Sequence, residues 1–274
     1  MTTRAVLAAL VAGGLGLGAQ AQELGDEEMA SAREFMLNNA LFVFYHELGH
    51  MFVSEFGLPV LGREEDAADN LAAFLLLNAE EGWADQALID AADGWYYGVS
   101  EDQLAMEDDS YLMGEHSLDL QRSYAAVCLM VGEDPAGFAQ VAESYGLPPD
   151  RVESCAFTWE QVDAGWGGLL EPRRLPEGAE PPAIEVVYEE TADYEAVRQL
   201  LMADGFLEWS AAMVGEGYDL PRPVAFRAAE CGEANAYWDP SEATATLCYE
   251  LVDFYYGVYV GSVLGYGAEG ENAG

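Results

Sequence analysis

Residues 33–77 read REFMLNNALFVFYHELGHMFVSEFGLPVLGREEDAADNLAAFLLL, and two short runs inside them decide the fold: His46-Glu47-Leu48-Gly49-His50 and Glu64-Glu65-Asp66-Ala67-Ala68-Asp69. The chain holds three histidines, and two of them lie in the first run. On a helix, residues four apart share one face, so His46 and His50 present two imidazoles to a single ion while Glu47 points to the open side. Metal-assisted hydrolysis needs this pattern. Zinc takes three protein ligands and keeps one position for water, and a carboxylate beside that water takes its proton as general base. We expect His46 and His50 as ligands and Glu47 as the base.

The second run supplies carboxylates. The segment Glu64 to Leu77 reads as a helix, so Glu65 and Asp69, again four apart, face the same way. One can ligate while the other accepts the second N–H of a ligand histidine, which fixes the ring. We expect Glu65 as third ligand and Asp69 as the histidine's partner, with Asp69 or Glu64 as rival ligands. Asp66 points about 100° away from Glu65 on the same helix. The bland alternative is that four clustered acids form only a solvated face.

HELGH followed by EDAAD resembles the gluzincin pattern of HExxH and ExxAD or ExxSD found in thermolysin-like and Ste24-like metallopeptidases. The stretches FVFYHELGHMFVSEFGLPVLGREEDAADNLAAFLL, EHSLDLQRSYAAVCLMVGEDP and CGEANAYWDPSEATATLCYEL resemble, more closely, a family of exported bacterial proteins named for metallopeptidase activity and built on a domain of unknown function. The resemblance covers most of the chain beyond residue 21. It implies a zincin-like metallopeptidase core, a Zn2+ cofactor and a peptide or protein substrate.

At 274 residues, 51% hydrophobic and 12% aromatic, the chain is long enough to bury one good core or two small ones. Residues 1–21 (MTTRAVLAALVAGGLGLGAQA) carry an early Arg4, an apolar stretch and a small-residue end at Ala19-Gln20-Ala21, the marks of a signal peptide. We therefore expect an exported protein, periplasmic or secreted, with no membrane span in its mature chain. Four cysteines in such a chain suggest two disulfides. Cys231 and Cys248 flank the turn-forming pair Asp239-Pro240 almost symmetrically, so a hairpin brings them together. Cys128 and Cys155 then tie a helix to the loop after it. A cysteine zinc site is the alternative, although no Cys-x-x-Cys is present.

The net charge of −40 sets 50 acidic residues against ten arginines and no lysine. Such a surface repels phosphate backbones and anionic lipid, so no nucleic-acid partner is expected. Solubility in a salty medium is its simplest meaning.

These patterns predict an α+β fold, predominantly helical, with a C-terminal disulfide-linked β-hairpin region. Residues 22–180 form the helical zinc-site region. A Pro-, Glu- and Arg-rich linker at 171–182 leads to an α/β region, 181–274, that packs on the first. In the first region we expect helices at Arg33–Phe56, Glu64–Leu77, near Asn78–Ala92 and at Leu118–Val131, the last capped by Ser117. Beyond the linker, 183–188 reads as a strand, Tyr194–Val214 as helical, and Val224–Arg227 with Thr244–Tyr249 as the hairpin. In most zincins such a unit precedes the histidine helix and its edge strand lies over the metal; here it follows, which suggests the same sheet in permuted order.

His116 stands just before a helix start. It is our candidate catalytic donor to the developing oxyanion, with a fourth ligand or an ordinary cap-region histidine as alternatives and Arg122 as a second donor. The expected function is an exported zinc-dependent hydrolase, a metallopeptidase using a zinc-activated water with Glu47 as base. The alternative is a non-catalytic exported binding or structural protein that retains a zincin fold; hydrolysis of a non-peptide amide would need the same residues.

Overall fold

The computed structural model describes residues 24–79, 82–100, 103–104 and 110–265; the expected leader, 1–21, lies outside them. Helix α1 (Asp26–Phe56) begins two turns earlier than its apolar run, because Asp26, Glu27 and Glu28 place carboxylates at the positive end of the helix. The Glu28 side chain also accepts the Gly25 N–H at 2.7 Å. Gly57 ends the helix in the left-handed region, φ 59°. Between Phe35 and Phe52 most of α1 is buried, which makes it the axle of the molecule.

Helix α2 (Glu64–Leu77) has the boundaries its periodicity predicts, with Glu64, Glu65 and Asp66 in its first turn. It crosses α1 where Gly49 meets Ala68. A Cβ on Gly49 would lie 2.8 Å from the Ala68 Cα, so the absence of a side chain there lets the two motifs approach. Asn78 does not open the next helix as expected. It caps α2, its side chain donating to the Phe74 carbonyl at 2.9 Å, and α3 spans Trp83–Gly98.

Helix α3 lies against α1 through a polar seam. Buried Asn39 donates to the carbonyls of Phe35 and Asp90, while Asn38 and Gln86 donate to the two oxygens of the Asp90 carboxyl at 2.6 and 2.7 Å. Burial pushes that carboxyl up to about 6 in spite of both amides. A carboxyl raised in the folded state gives stability that is complete below its unfolded value and lost as pH rises through the folded one. Asp90→Asn should therefore unfold in urea much like the wild type near pH 4. Relative to the wild type it should gain on the order of 3 kcal/mol by pH 8; a difference that stays flat with pH would refute the shift.

Helices α4 (Ser110–Met113), α5 (Asp119–Glu133), α6 (Ala139–Ser144) and α7 (Pro149–Leu170) complete the helical part. Ser117 does not cap α5: the N-cap is Leu118, whose N–H is accepted by the Gln121 side chain, and the Ser117 hydroxyl donates to Asp66 instead. Disulfide Cys128–Cys155 joins α5 to α7, a helix rather than the expected loop.

Beyond residue 182 come β1 (Ile184–Tyr188), α8 (Glu195–Asp204), α9 (Phe206–Gly217), β2 (Val224–Ala229), β3 (Ala236–Asp239), β4 (Thr244–Cys248) and α10 (Tyr249–Val258). The stretch Tyr194–Val214, expected to be helical, forms two helices that meet at Gly205, φ 74°. The sheet order is β1-β2-β4-β3, with β1, β2 and β4 parallel and β3 antiparallel on the edge. This corrects the hairpin. Val224–Arg227 and Thr244–Tyr249 are parallel neighbours, and the partner of β4 across the Asp239-Pro240 turn is the four-residue β3. Asp239 Oδ1 accepts the Ser241 and Glu242 N–H groups and fixes that turn. Disulfide Cys231–Cys248 then braces the segment that carries β3.

One apolar core joins the parts. Phe44 of α1 meets Phe206 of α9 and Phe226 of β2 edge-on, at centroid distances of 5.8 and 5.2 Å. Among the described residues no helix is long and apolar enough to cross a membrane.

Candidate metal centre

The close crossing of α1 and α2 brings the two motifs into one cluster. His46 Nε2 lies 3.1 Å and His50 Nε2 3.2 Å from the same oxygen, Oε2 of Glu65, and the two nitrogens are 3.1 Å apart. The far side of each ring is held by a different carboxylate. His46 Nδ1 lies 2.7 Å from Asp69 Oδ1, and His50 Nδ1 lies 2.9 Å from Glu64 Oε1. Ionised carboxylates only accept, so each Nδ1 carries its proton and a neutral ring turns the lone pair of Nε2 inward.

Two such lone pairs and a carboxylate oxygen about 3 Å apart repel one another unless a cation sits among them. A metal ion removes the conflict, and the donor set of two imidazoles and one carboxylate suits zinc. Without a metal, protons do the same work. For His50, burial opposes the charged form, but hydrogen bonds to Glu65 and Glu64 outweigh it and push its pKa up to about 9. His46 is raised as well: burial lowers it, and Asp69 and Glu65 more than compensate. Glu65 is held far below the usual carboxylate range by His116, His46 and His50. Metal binding must then displace protons and weaken as the pH falls.

Glu47 is 7% exposed and stands beside both histidines. Burial pushes its carboxyl up, and the backbone N–H of Trp238 on edge strand β3 faces it and opposes that shift. The Trp238 indole N–H also reaches the Ser54 hydroxyl on α1, at 2.8 Å, so β3 lies along the histidine helix. The hairpin is therefore near the two histidines, as the permuted-sheet expectation requires.

Asp69 has a second partner that the spacing rules do not reveal. Arg122 of α5 grips it with Nε and Nη2, both at 2.7 Å, and stacks on the Trp95 ring, 3.6 Å from its centroid. Burial favours the neutral acid, yet Arg122 and His46 keep Asp69 well below its ordinary value. Arg122 is thus committed to Asp69, which corrects its expected role as a second oxyanion donor. Glu64, a rival ligand in the sequence, instead holds His50.

His116 Nε2 lies 2.9 Å from Glu65 Oε2, and its ring faces that of His46 at a centroid distance of 5.8 Å. Its loop is tied to the start of α2: Ser117 Oγ donates to Asp66 at 2.7 Å, and Arg63 donates to the His116 carbonyl at 3.3 Å. All five sequence candidates, His46, Glu47, His50, Glu65 and His116, stand at one site. The supports Glu64, Arg122, Trp95 and Trp238 come from three further elements besides α2.

A family model described as "Putative metallopeptidase" matches residues 17–170 and 187–263. No curated protein and no solved structure matches the chain.

Proposed function

The chain belongs to the family described as "Putative metallopeptidase", and from that premise we propose an exported zinc-dependent hydrolase that cleaves peptide bonds, with His46, His50 and Glu65 holding the metal. One observation carries the reading: the Nε2 atoms of His46 and His50 converge with Oε2 of Glu65, the far side of each ring is already held by a carboxylate, and a buried carboxylate, Glu47, stands beside them. Bound zinc would supply Lewis acidity, polarising the scissile carbonyl and making a water easier to deprotonate.

The residues of the chain do the rest. Glu47 takes the proton of the attacking water and later gives it to the leaving amine, so that water adds across the C–N bond and no charge is left over. The backbone of Trp238 faces its carboxylate, and burial raises its pKa above that of a free glutamate. His116 hydrogen-bonds the oxygen on which charge develops.

Substrate alignment falls to β3. Asn235 accepts the Cys248 N–H, so alternation along the strand directs the backbone groups of Ala236 and Trp238 away from β4, toward the side on which Glu47 lies. An extended peptide pairing with that edge would lie across the site.

Two disulfides favour an oxidising compartment, in keeping with a leader at 1–21 and a periplasmic or secreted protein built from the regions 22–180 and 181–274. The rival reading, an exported protein that binds metal without turnover, has the approach of His116 to Glu65 in its favour. Glu47 counts against it, because a structural metal site has no use for a buried carboxylate beside its ligands.

The test is elemental analysis of mature protein refilled with zinc. We expect one zinc ion per chain in the wild type and none in Glu65→Ala. Wild-type protein that holds no stoichiometric metal would end the hydrolase reading.

A further inference from the structure

We infer that His116 is a fourth protein ligand in the substrate-free protein, one that leaves when substrate arrives. This inference rests on the zinc-hydrolase reading above and concerns the resting state of the same site.

Three imidazoles direct the same nitrogen, Nε2, at one oxygen: Glu65 Oε2 is 2.9 Å from His116, 3.1 Å from His46 and 3.2 Å from His50. One carboxylate oxygen offers two lone-pair directions, so three rings exceed what hydrogen bonding alone would gather there. Coordination accounts for the crowding. A tetrahedral zinc ion with bonds of about 2.0–2.1 Å spaces its donors about 3.3 Å apart, close to the separations of the three rings from Glu65 Oε2 and of His46 from His50. The ligand atoms of His46, Glu65 and His116 all lie within 4.8 Å of one another.

The three rings are not held alike. His46 and His50 project from the buried helix α1, at 2% and 17% exposure, and each is locked by a carboxylate on Nδ1. His116 is 53% exposed and sits on the loop between α4 and α5. That loop is anchored to the first turn of α2 through Ser117–Asp66 and Arg63, the turn that carries Glu65. Its backbone is thus positioned while the ring can rotate into solvent without opening the core.

Such a site is closed at rest and opens by ligand exchange. With zinc held by His46, His50 and Glu65, release of His116 would leave a position for a substrate carbonyl without breaking a bond in the chain, and the freed imidazole would remain beside the oxygen that becomes negative. The donor role and the ligand role of His116 then belong to successive states.

X-ray absorption at the zinc edge counts imidazoles without needing turnover. The samples are full mature protein, His116→Ala and His116→Gln, each refilled with zinc, with and without acetohydroxamate as a simple oxygen-donor probe. We expect three imidazoles in the wild type and two in either variant, with the wild type falling to two when the probe binds. Two imidazoles in wild-type protein without the probe would overturn the inference while leaving the hydrolase reading intact. Three that persist with acetohydroxamate on the metal would overturn the exchange. Failure of every protein to hold zinc would remove the hydrolase reading and this inference with it.

Discussion

Glu47→Gln should keep its zinc and lose about 10²–10⁴-fold in kcat on any peptide that the wild type cleaves, with KM little changed. The substitution preserves shape and removes only the capacity to take a proton. Metal should be retained because the donors that converge on one another are His46, His50 and Glu65, whereas Glu47 is not among the groups that meet at Glu65 Oε2. The pH profile adds a second signature. Burial raises the Glu47 carboxyl, and a base works only when deprotonated. Wild-type kcat/KM of the zinc-loaded protein should rise with pH as Glu47 loses its proton, and that limb should be missing from the residual activity of zinc-loaded Glu47→Gln. The sign for stability is opposite: a carboxyl raised on folding costs stability above its folded pKa, so the amide should be no less stable than the wild type at neutral pH. Full activity in Glu47→Gln would remove the base assignment, and loss of zinc would make Glu47 a ligand.

What could be read from the sequence was whatever lies within one helix or one short loop. The i, i+4 spacing of His46 with His50, and of Glu65 with Asp69, needs only helical geometry, and both pairs face the common cluster. The boundaries of α2 and the strand inside 183–188 follow from local periodicity, and Cys231–Cys248 from a turn signal midway between them. What escaped was decided between elements. Alternation marks a segment as a strand and leaves its neighbour open, so it suggests a hairpin of Val224–Arg227 with Thr244–Tyr249 although the two run parallel, and it gives no sign of Ala236–Asp239, only four residues long. The start of α3 is not legible because Asn78 can either start or stop a helix, and here it stops α2. The same limit governs the site. Trp238 reaches Glu47 from a strand that starts 189 residues further along the chain, and nothing near Arg122 in sequence announces Asp69. Only the unusual burial demanded of an arginine on an otherwise apolar helix face could have pointed to an ion-pair partner.

Arg122→Met is the substitution with the largest expected effect on folding. Arg122 is 8% exposed, grips both oxygens of Asp69 and lies flat on Trp95, so removing it leaves a buried carboxylate with His46 as its remaining partner. Breaking a buried pair from one side costs about 3–5 kcal/mol, more than the pair contributes over an apolar replacement, because the remaining charge is uncompensated. The loss has a definite pH dependence. Asp69 is depressed in the wild type, so its contribution is present above the unfolded pKa and is lost only as pH falls through the low folded value. In Arg122→Met that carboxyl rises, and the gap between the two proteins should be widest near neutral pH and narrow toward acid as the variant takes up a proton. Zinc affinity should fall about 10–100-fold with it, since a neutral or displaced Asp69 no longer holds the His46 ring. Arg122→Lys should restore charge without the two-pronged grip and lie between. The decisive comparison is Asp69→Asn combined with Arg122→Met: if the ion pair is the cause, the double variant should be nearly as stable as Arg122→Met alone or more so, and the part of the pH dependence that Asp69 contributes should be gone. Strictly additive losses in urea unfolding would mean that Arg122 acts through its packing on Trp95, and that His46 is oriented without it.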